Sequence, residues 1–108
     1  MRKLSIKERD LIEFMLSKES LDVAFSNELH SILVEDAGDS GMGGLVFHKD
    51  VKDRRLGKDI ASLQFKDLDG VDVMVTLSLD NFGNLYELDV WKADFSPLIS
   101  LPDVERLS

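Results

Sequence analysis

The sequence predicts an α+β protein in which one or two N-terminal helices pack on a four- or five-stranded antiparallel sheet. Ser5-Ile-Lys-Glu8 is a capping box that opens an apolar pattern with helical spacing. From residue 31 onward the period of the apolar side chains changes to two, and the later connections are short enough to force antiparallel neighbours. With 108 residues, the chain suffices for one modest core, so we expect residues 1–108 to form a single domain.

The first helix is predicted over residues 6 to 18. In the capping box, the Ser5 hydroxyl can accept a hydrogen bond from the amide of residue 8, while the Glu8 carboxylate accepts one from the amide of residue 5. The apolar residues that follow recur on one side of the helix and predict its buried face. They are Leu11, Ile12, Met15 and Leu16.

Residues 21–30 leave two interpretations open. Three apolar residues four positions apart favour a short second helix capped by Ser20. They are Leu21, Phe25 and Leu29. The alternation of Val23 with Phe25 is also compatible with a strand.

Five later segments have the composition and alternation of strands, joined by turns rich in Gly, Asn and Asp. They are 32–35, 45–47, about 59–67, 71–79 and 85–92. A glycine-rich loop at 36–44 and a charged connector at 49–58 interrupt them. Within the strand 71–79 the odd positions are apolar, so we expect the even positions, continuing through Ser78 and Asp80, to face solvent.

These faces predict a core that joins the first helix to the last two strands. Tyr86, Leu88 and Val90 alternate along the final strand and should face it. Eight residues are expected to be buried together: Leu11, Ile12, Met15, Val73, Val75, Leu77, Leu88 and Val90.

The charge distribution narrows the classes of partner. The chain has 21 acidic and 13 basic side chains, and residues 67–105 hold nine acids against one base, Lys92. Such a surface repels nucleic acid and anionic lipid and attracts cationic partners, so we expect no direct nucleic-acid or membrane binding. Solubility is the simpler explanation of the acidity. The absence of cysteine and of a signal-peptide pattern favours a cytoplasmic protein.

No pattern in the sequence indicates catalysis. His30 and His48 lie in different elements without acids at ligand spacing, and no nucleophile elbow surrounds any serine. The glycines of 36–44 run into a strand, whereas phosphate-binding loops open a helix. We therefore expect no enzyme, no metal site and no cofactor.

The strand at 85–92 carries the best candidate binding surface. Glu87, Asp89 and Trp91 share the face opposite the core-facing residues, which places two carboxylates beside the only tryptophan. Trp91 has two interpretations: a core residue covered by the tail after Pro97, or an exposed aromatic anchor for a partner rich in Lys and Arg. Three further acids are candidate partner-binding residues: Asp72, Asp36 and Asp39.

Three segments resemble a group of small bacterial proteins of unknown function. They are Gly-Asn-Leu-Tyr-Glu-Leu-Asp-Val-Trp-Lys-Ala-Asp-Phe-Ser-Pro-Leu (83–98), Gly-Met-Gly-Gly-Leu (41–45) and the start Met-Arg-Lys-Leu. Proteins of this size and type include immunity partners of polymorphic toxins, among them contact-dependent growth inhibition systems. The group has no established catalytic residues.

The resemblance implies an immunity protein that neutralises a cognate toxin domain. Such toxins are often nucleases, whose positive surfaces hold nucleic acid and would attract an acidic inhibitor. The alternative is an acidic housekeeping module or complex subunit that has no toxin partner.

Overall fold

The structure, a computed structural model, describes residues 1–107, with Arg106 described by its backbone alone. Its elements in chain order are β1 (Arg2–Lys3), α1 (Ile6–Lys18), α2 (Asp22–Phe25), a 3-10 helix (Glu28–His30), β2 (Leu33–Asp36), β3 (Leu45–Phe47), β4 (Leu56–Lys66), β5 (Asp72–Asp80), β6 (Leu85–Lys92) and a second 3-10 helix (Val104–Arg106). The strands form one sheet in the order β1-β2-β3-β6-β5-β4, and every neighbouring pair is antiparallel.

The α+β prediction is confirmed, but the described part of the chain forms six strands instead of four or five. The additional strand is β1, which pairs Arg2 with Val34 and Lys3 with Leu33. Two charged residues are too short a segment to show a period of two, so local pattern could not reveal this strand.

Helix α1 has the predicted bounds because its capping box forms as expected. The Glu8 amide donates to Ser5 Oγ at 3.1 Å, and the Ser5 amide donates to Glu8 Oε1 at 2.8 Å. The four apolar residues at helical spacing are buried against the sheet. The amphipathic pattern therefore fixed both the helix and the face that it buries.

In residues 21–30 the helical interpretation is correct but the predicted cap is wrong. Helix α2 begins after Leu21, which makes no side-chain capping bond, and the 3-10 helix follows it. Ser20 instead adopts a φ of 58° within the turn that ends α1. The tight connection between the helices, not a hydroxyl cap, sets where α2 starts.

The predicted core is confirmed. All eight residues are at most 2% exposed and belong to one cluster between α1 and the sheet. Burying a Leu or Val side chain of this size stabilises a fold by about 1.5–3 kcal/mol. Residues of β2 and β3, including Val34 and Phe47, extend the cluster toward the other end of the sheet.

A bulge in β6 overturns the predicted position of Tyr86. Ser78 pairs with Glu87, but Leu79 pairs with Leu85, so Tyr86 is an extra residue between the two pairs. Leu85 is buried at the core in its place, while Tyr86 is half-buried with the guanidinium of Arg54 5.2 Å from its ring centroid. Strict alternation cannot anticipate an inserted residue.

The predicted wet face of β5 is also wrong at its C-terminal end. Ser78 is 2% exposed and Asp80 is 3% exposed. Asp80 Oδ2 pairs with Arg54 Nε at 2.7 Å, and Asp80 Oδ1 accepts from the Phe82 and Asn84 amides at 2.8 and 2.9 Å. The β5–β6 turn thus folds over the carboxylate.

Arg54 also closes the connector onto the sheet. Its terminal nitrogens donate to the carbonyls of Phe47 and Leu85, at 3.0 and 2.8 Å. The charged connector is shorter than predicted, because β4 already begins at Leu56 and includes Lys58. Burial is the largest influence on the pKa of Asp80 and opposes its charge. The bonds from Asn84 and Arg54 nevertheless lower the pKa to about 2.

Lys92 ties the C-terminal tail to the core side of the sheet. It is fully buried and donates to Asp67 and Asp69 at 2.9 and 2.7 Å, and to the Pro97 carbonyl at 3.2 Å. Asp67 also accepts from the Ile99 amide at 2.8 Å. The tail after Pro97 is therefore anchored on the same side of the sheet as α1.

Candidate protein-binding surface

The outer face, meaning the side of the sheet opposite α1, presents the three residues that the sequence placed together on the last strand. Glu87, Asp89 and Trp91 alternate with buried residues, so their side chains point away from the core. The buried residues are Leu88, Val90 and Lys92. Glu87 is half-buried, Asp89 is exposed and Trp91 is 46% exposed.

The core interpretation of Trp91 is therefore wrong. The tail after Pro97 does not cover the indole, because Lys92 holds the Pro97 carbonyl on the other face of β6. Of the two interpretations, only the exposed aromatic remains.

Neighbouring strands complete the surface around these three residues. Met74 and Thr76 of β5 lie opposite Trp91 and Asp89, and both are half-buried. Val46 of β3, which is 40% exposed, lies opposite Glu87 on the other side. The result is a polar and apolar surface spanning three adjacent strands.

The carboxylates on this face lack compensating cations. Among the residues that the structure describes, Glu87 and Asp89 form no ion pair, and neither does Asp59 of β4. Burial, followed by the charges of Asp89 and Asp59, raises the pKa of Glu87. The fold thus keeps three like charges close enough to disfavour ionisation of the central one.

An aromatic neighbour that the sequence analysis did not single out adjoins Trp91. Phe95 is 64% exposed, and its ring centroid lies 5.9 Å from that of Trp91 at an interplanar angle of 84°. The residue lies in the turn after β6 and is brought beside Trp91 by a φ of 61°. No local pattern in the sequence indicates such a conformation for a phenylalanine.

Asp72 lies on the outer face as well, since it precedes buried Val73 and its strand partner is Lys66. Its carboxylate pairs with Lys66 Nζ at 2.8 Å. Its charge is therefore already partly compensated, unlike those of Glu87 and Asp89.

The structure does not bring the two loop acids to this surface. Asp36 pairs with Arg2 at 2.8 Å, and Arg2 also binds Glu8 of α1, which places Asp36 on the helix side. Asp39 Oδ2 accepts from the Gly44 amide at 2.8 Å and so closes its own loop. These two acids have local structural partners.

The acidic excess of residues 67–105 is smaller at the surface than the count of nine suggests. Five of these acids form ion pairs, mostly with bases that lie outside the segment. They are Asp67, Asp69, Asp72, Asp80 and Asp103. Glu87 and Asp89 remain as neighbouring uncompensated charges, so the acidity that faces a partner is concentrated on β6.

Other kinds of site find no support in the described part of the chain. Its His, Asp and Glu side chains form no group of three or more that could hold a metal ion. No helix within residues 1–107 is long and apolar enough to cross a membrane.

Comparison with known families gives one match. A family model described as "Domain of unknown function (DUF6984)" matches residues 1–102. No curated protein and no solved structure matches the chain.

Proposed function

The chain belongs to the DUF6984 family of domains of unknown function, and from that premise we propose that it is a cytoplasmic immunity protein. Its partner is a cognate bacterial toxin domain with a basic surface, of the kind that a nuclease uses to hold nucleic acid. The resemblance of its three sequence segments to immunity proteins supports the class of function, and the outer face supports the mode of binding.

One observation carries the proposal: uncompensated carboxylates surround an exposed tryptophan on a sheet face that no helix covers. Like charges held together disfavour one another, as the raised pKa of Glu87 indicates. A partner that brings Lys or Arg to this face removes that repulsion. The free energy lost in the unbound protein is thereby recovered in the complex.

The surface also has the layout of a protein interface. Trp91 offers a large aromatic anchor, and Val46 and Met74 add apolar area around it. A shallow cavity of about 410 Å³ lies beside them at the β4 edge, lined in part by Asp59 and Thr76. An aromatic centre with a polar rim is typical of the few residues that dominate binding energy.

The proposed mechanism is exclusion of substrate. A nuclease must expose positive charge to bind phosphates, and an acidic protein on that surface blocks nucleic acid without imitating its bases. Exposed carboxylates would accelerate encounter through long-range attraction, while a desolvated tryptophan would slow dissociation.

Charge reversal tests the electrostatic part of the proposal. The double variant Glu87→Lys/Asp89→Lys should associate more slowly with the cognate toxin domain, and its association rate should depend less on salt. Asp103→Lys on the helix side is the control, measured beside wild type by stopped-flow mixing at several salt concentrations. Wild-type rates and salt dependence in the double variant would exclude this face and direct attention to the loop 36–44.

Truncation of the aromatic anchor tests the other part. Trp91→Ala should speed dissociation, with little change in association, provided that urea unfolding shows an intact fold. Phe82→Ala removes another exposed aromatic side chain, 55% exposed in the β5–β6 turn, and serves as the matched control. Equal dissociation rates for the two variants would contradict an anchoring role for Trp91.

A second candidate function is an acidic housekeeping module or complex subunit without a toxin partner. The pairing of five of the nine acids in residues 67–105 favours it, because much of that acidity serves the fold. Affinity capture from the native host, followed by mass spectrometry, separates the two. Retention of a toxin C-terminal domain encoded by a neighbouring reading frame supports immunity, whereas retention of a metabolic complex supports the module.

A further inference from the structure

We infer that the corner between Trp91 and Phe95, together with Asp89, is a receptor for an arginine side chain of the partner. The inference deepens the function proposed above and rests on it for the identity of the partner. Its chemistry can be tested without that partner, because it concerns what the corner itself recognises.

Phe95 is not explained by folding alone. Its side chain is 64% exposed, so it buries little apolar surface, and its φ of 61° is a conformation that bulky residues rarely adopt. Strained residues persist where the surrounding structure imposes them, and they concentrate at binding and active sites.

The surrounding structure holds Phe95 on both sides. Its amide donates to the Lys92 carbonyl at 2.9 Å, and Asp94 Oδ1 accepts from the Ser96 amide and hydroxyl at 3.0 and 2.6 Å. The next residue, Pro97, is held by the buried ammonium of Lys92 at 3.2 Å. The aromatic corner is thus formed before any ligand arrives, which lowers the entropic cost of binding.

The geometry suits a planar cation. Two ring planes at 84°, with centroids 5.9 Å apart, form two walls, and Met74 lies opposite Trp91 on the adjacent strand. Asp89 lies two residues before Trp91 on the same face, about 7 Å away along the strand. A cation within about 6 Å of the indole centroid gains from its quadrupole, and a carboxylate at this distance can pair with the same group.

Arginine fits this arrangement better than lysine does. A guanidinium can stack on an aromatic plane while its edge donates to a carboxylate, and it sheds water more readily than an ammonium. A lysine ammonium is a compact, strongly hydrated charge that cannot stack. The corner should therefore distinguish two side chains of equal charge.

The chain itself does not fill the corner. Within the described residues the two cation–π contacts use other rings, those of Phe14 and Tyr86. A second copy docked through the same face would set Asp89 and Glu87 against their own counterparts, which like-charge repulsion opposes. A cationic partner of different sequence is the remaining occupant.

Trp91 is the only tryptophan, so its fluorescence reports directly on the corner. Acetylated, amidated hexa-arginine and hexa-lysine peptides are titrated into the full chain at one ionic strength. Hexa-arginine should shift or quench the emission and bind about two- to fivefold more tightly than hexa-lysine. The Phe95→Gly variant, which keeps the turn and removes one wall, should lose this preference, whereas Phe82→Gly should keep it.

Equal affinities for the two peptides in the wild-type protein, or an arginine preference that survives Phe95→Gly, would overturn the inference. If Phe95→Gly unfolds in a thermal melt, Phe95→Asn provides the same test, because asparagine tolerates a positive φ. An arginine preference without toxin binding would refute the immunity function alone. Toxin binding without the preference would refute only the receptor.

Discussion

Loss of the Arg54 guanidinium should destabilise the fold far more than loss of a neighbouring charge. Arg54 is 11% exposed and joins the connector to the Phe47 and Leu85 carbonyls and to the buried carboxylate of Asp80. In Arg54→Met the apolar stem keeps much of its packing, but Asp80 remains buried without its cation. The turn amides still bond Asp80 Oδ1, so the perturbation is confined to Oδ2 and the two carbonyls.

Removing one member of a buried ion pair typically costs about 3–5 kcal/mol, because the remaining charge is left in a poorly solvating environment. This is a large share of the ~5–15 kcal/mol that stabilises a domain of this size. At an m-value of about 1.5 kcal/mol/M in urea, the unfolding midpoint should fall by roughly 2–3 M.

Urea unfolding followed by circular dichroism measures the effect. Arg55→Met is the matched control, since it removes the same charge from an exposed neighbour and should change stability by less than about 0.5 kcal/mol. The double variant Arg54→Met/Asp80→Asn should recover part of the loss, because no buried charge is then left unpaired. A midpoint for Arg54→Met within about 0.5 M of wild type would refute the reasoning.

The remaining predictions concern the core, the buried acids and the outer face. Leu77→Ala should lower the free energy of unfolding in urea by about 2–5 kcal/mol, and wild-type stability would contradict its place in the core. Burial opposes the charges of Asp67 and Asp80, but their hydrogen-bond and ion-pair partners lower both pKa values to about 2. Their stabilisation is therefore complete above the unfolded pKa near 4 and is lost as pH falls toward 2; unchanged thermal midpoints from pH 5 to pH 2 would disagree. Glu87 has the opposite sign: its pKa is raised, so its charged form is disfavoured in the fold. Glu87→Gln should unfold at higher urea than wild type at pH 7, with a gain that shrinks as pH falls through the raised pKa. Phe95→Gly should keep or raise the thermal midpoint, because relief of about 1–2 kcal/mol of left-handed strain offsets the added flexibility of glycine, and a marked fall would assign Phe95 a structural role.

The elements that local pattern could predict are those whose signals lie within a few residues. The capping box and the spacing from Leu11 to Leu16 predicted α1 with the bounds that it has. Alternation predicted the buried faces of Val73 to Leu77 on β5 and of Leu88 and Val90 on β6. In each case the residues that determine the structure are also neighbours in the chain.

The candidate surface was predicted only in part. Alternation placed Glu87, Asp89 and Trp91 on one face, as the structure has them, but it left open whether a tail covers the indole. The count of acids in residues 67–105 overstated the exposed charge, since Lys7, Arg54 and Lys66 come from elsewhere in the chain to pair with them. A count of charges contains no information about distance.

By itself the sequence determined the α+β class, the first helix, the core positions and the shared face of Glu87, Asp89 and Trp91, because helical and strand periods are local properties. Only the tertiary structure decided that Arg54 reaches Asp80, 26 residues away, and that Lys92 holds the tail on the side opposite Trp91. It also decided that Phe95 turns toward the indole. These features depend on which distant segments fold against one another, and charges and rings gain their partners only when those segments meet.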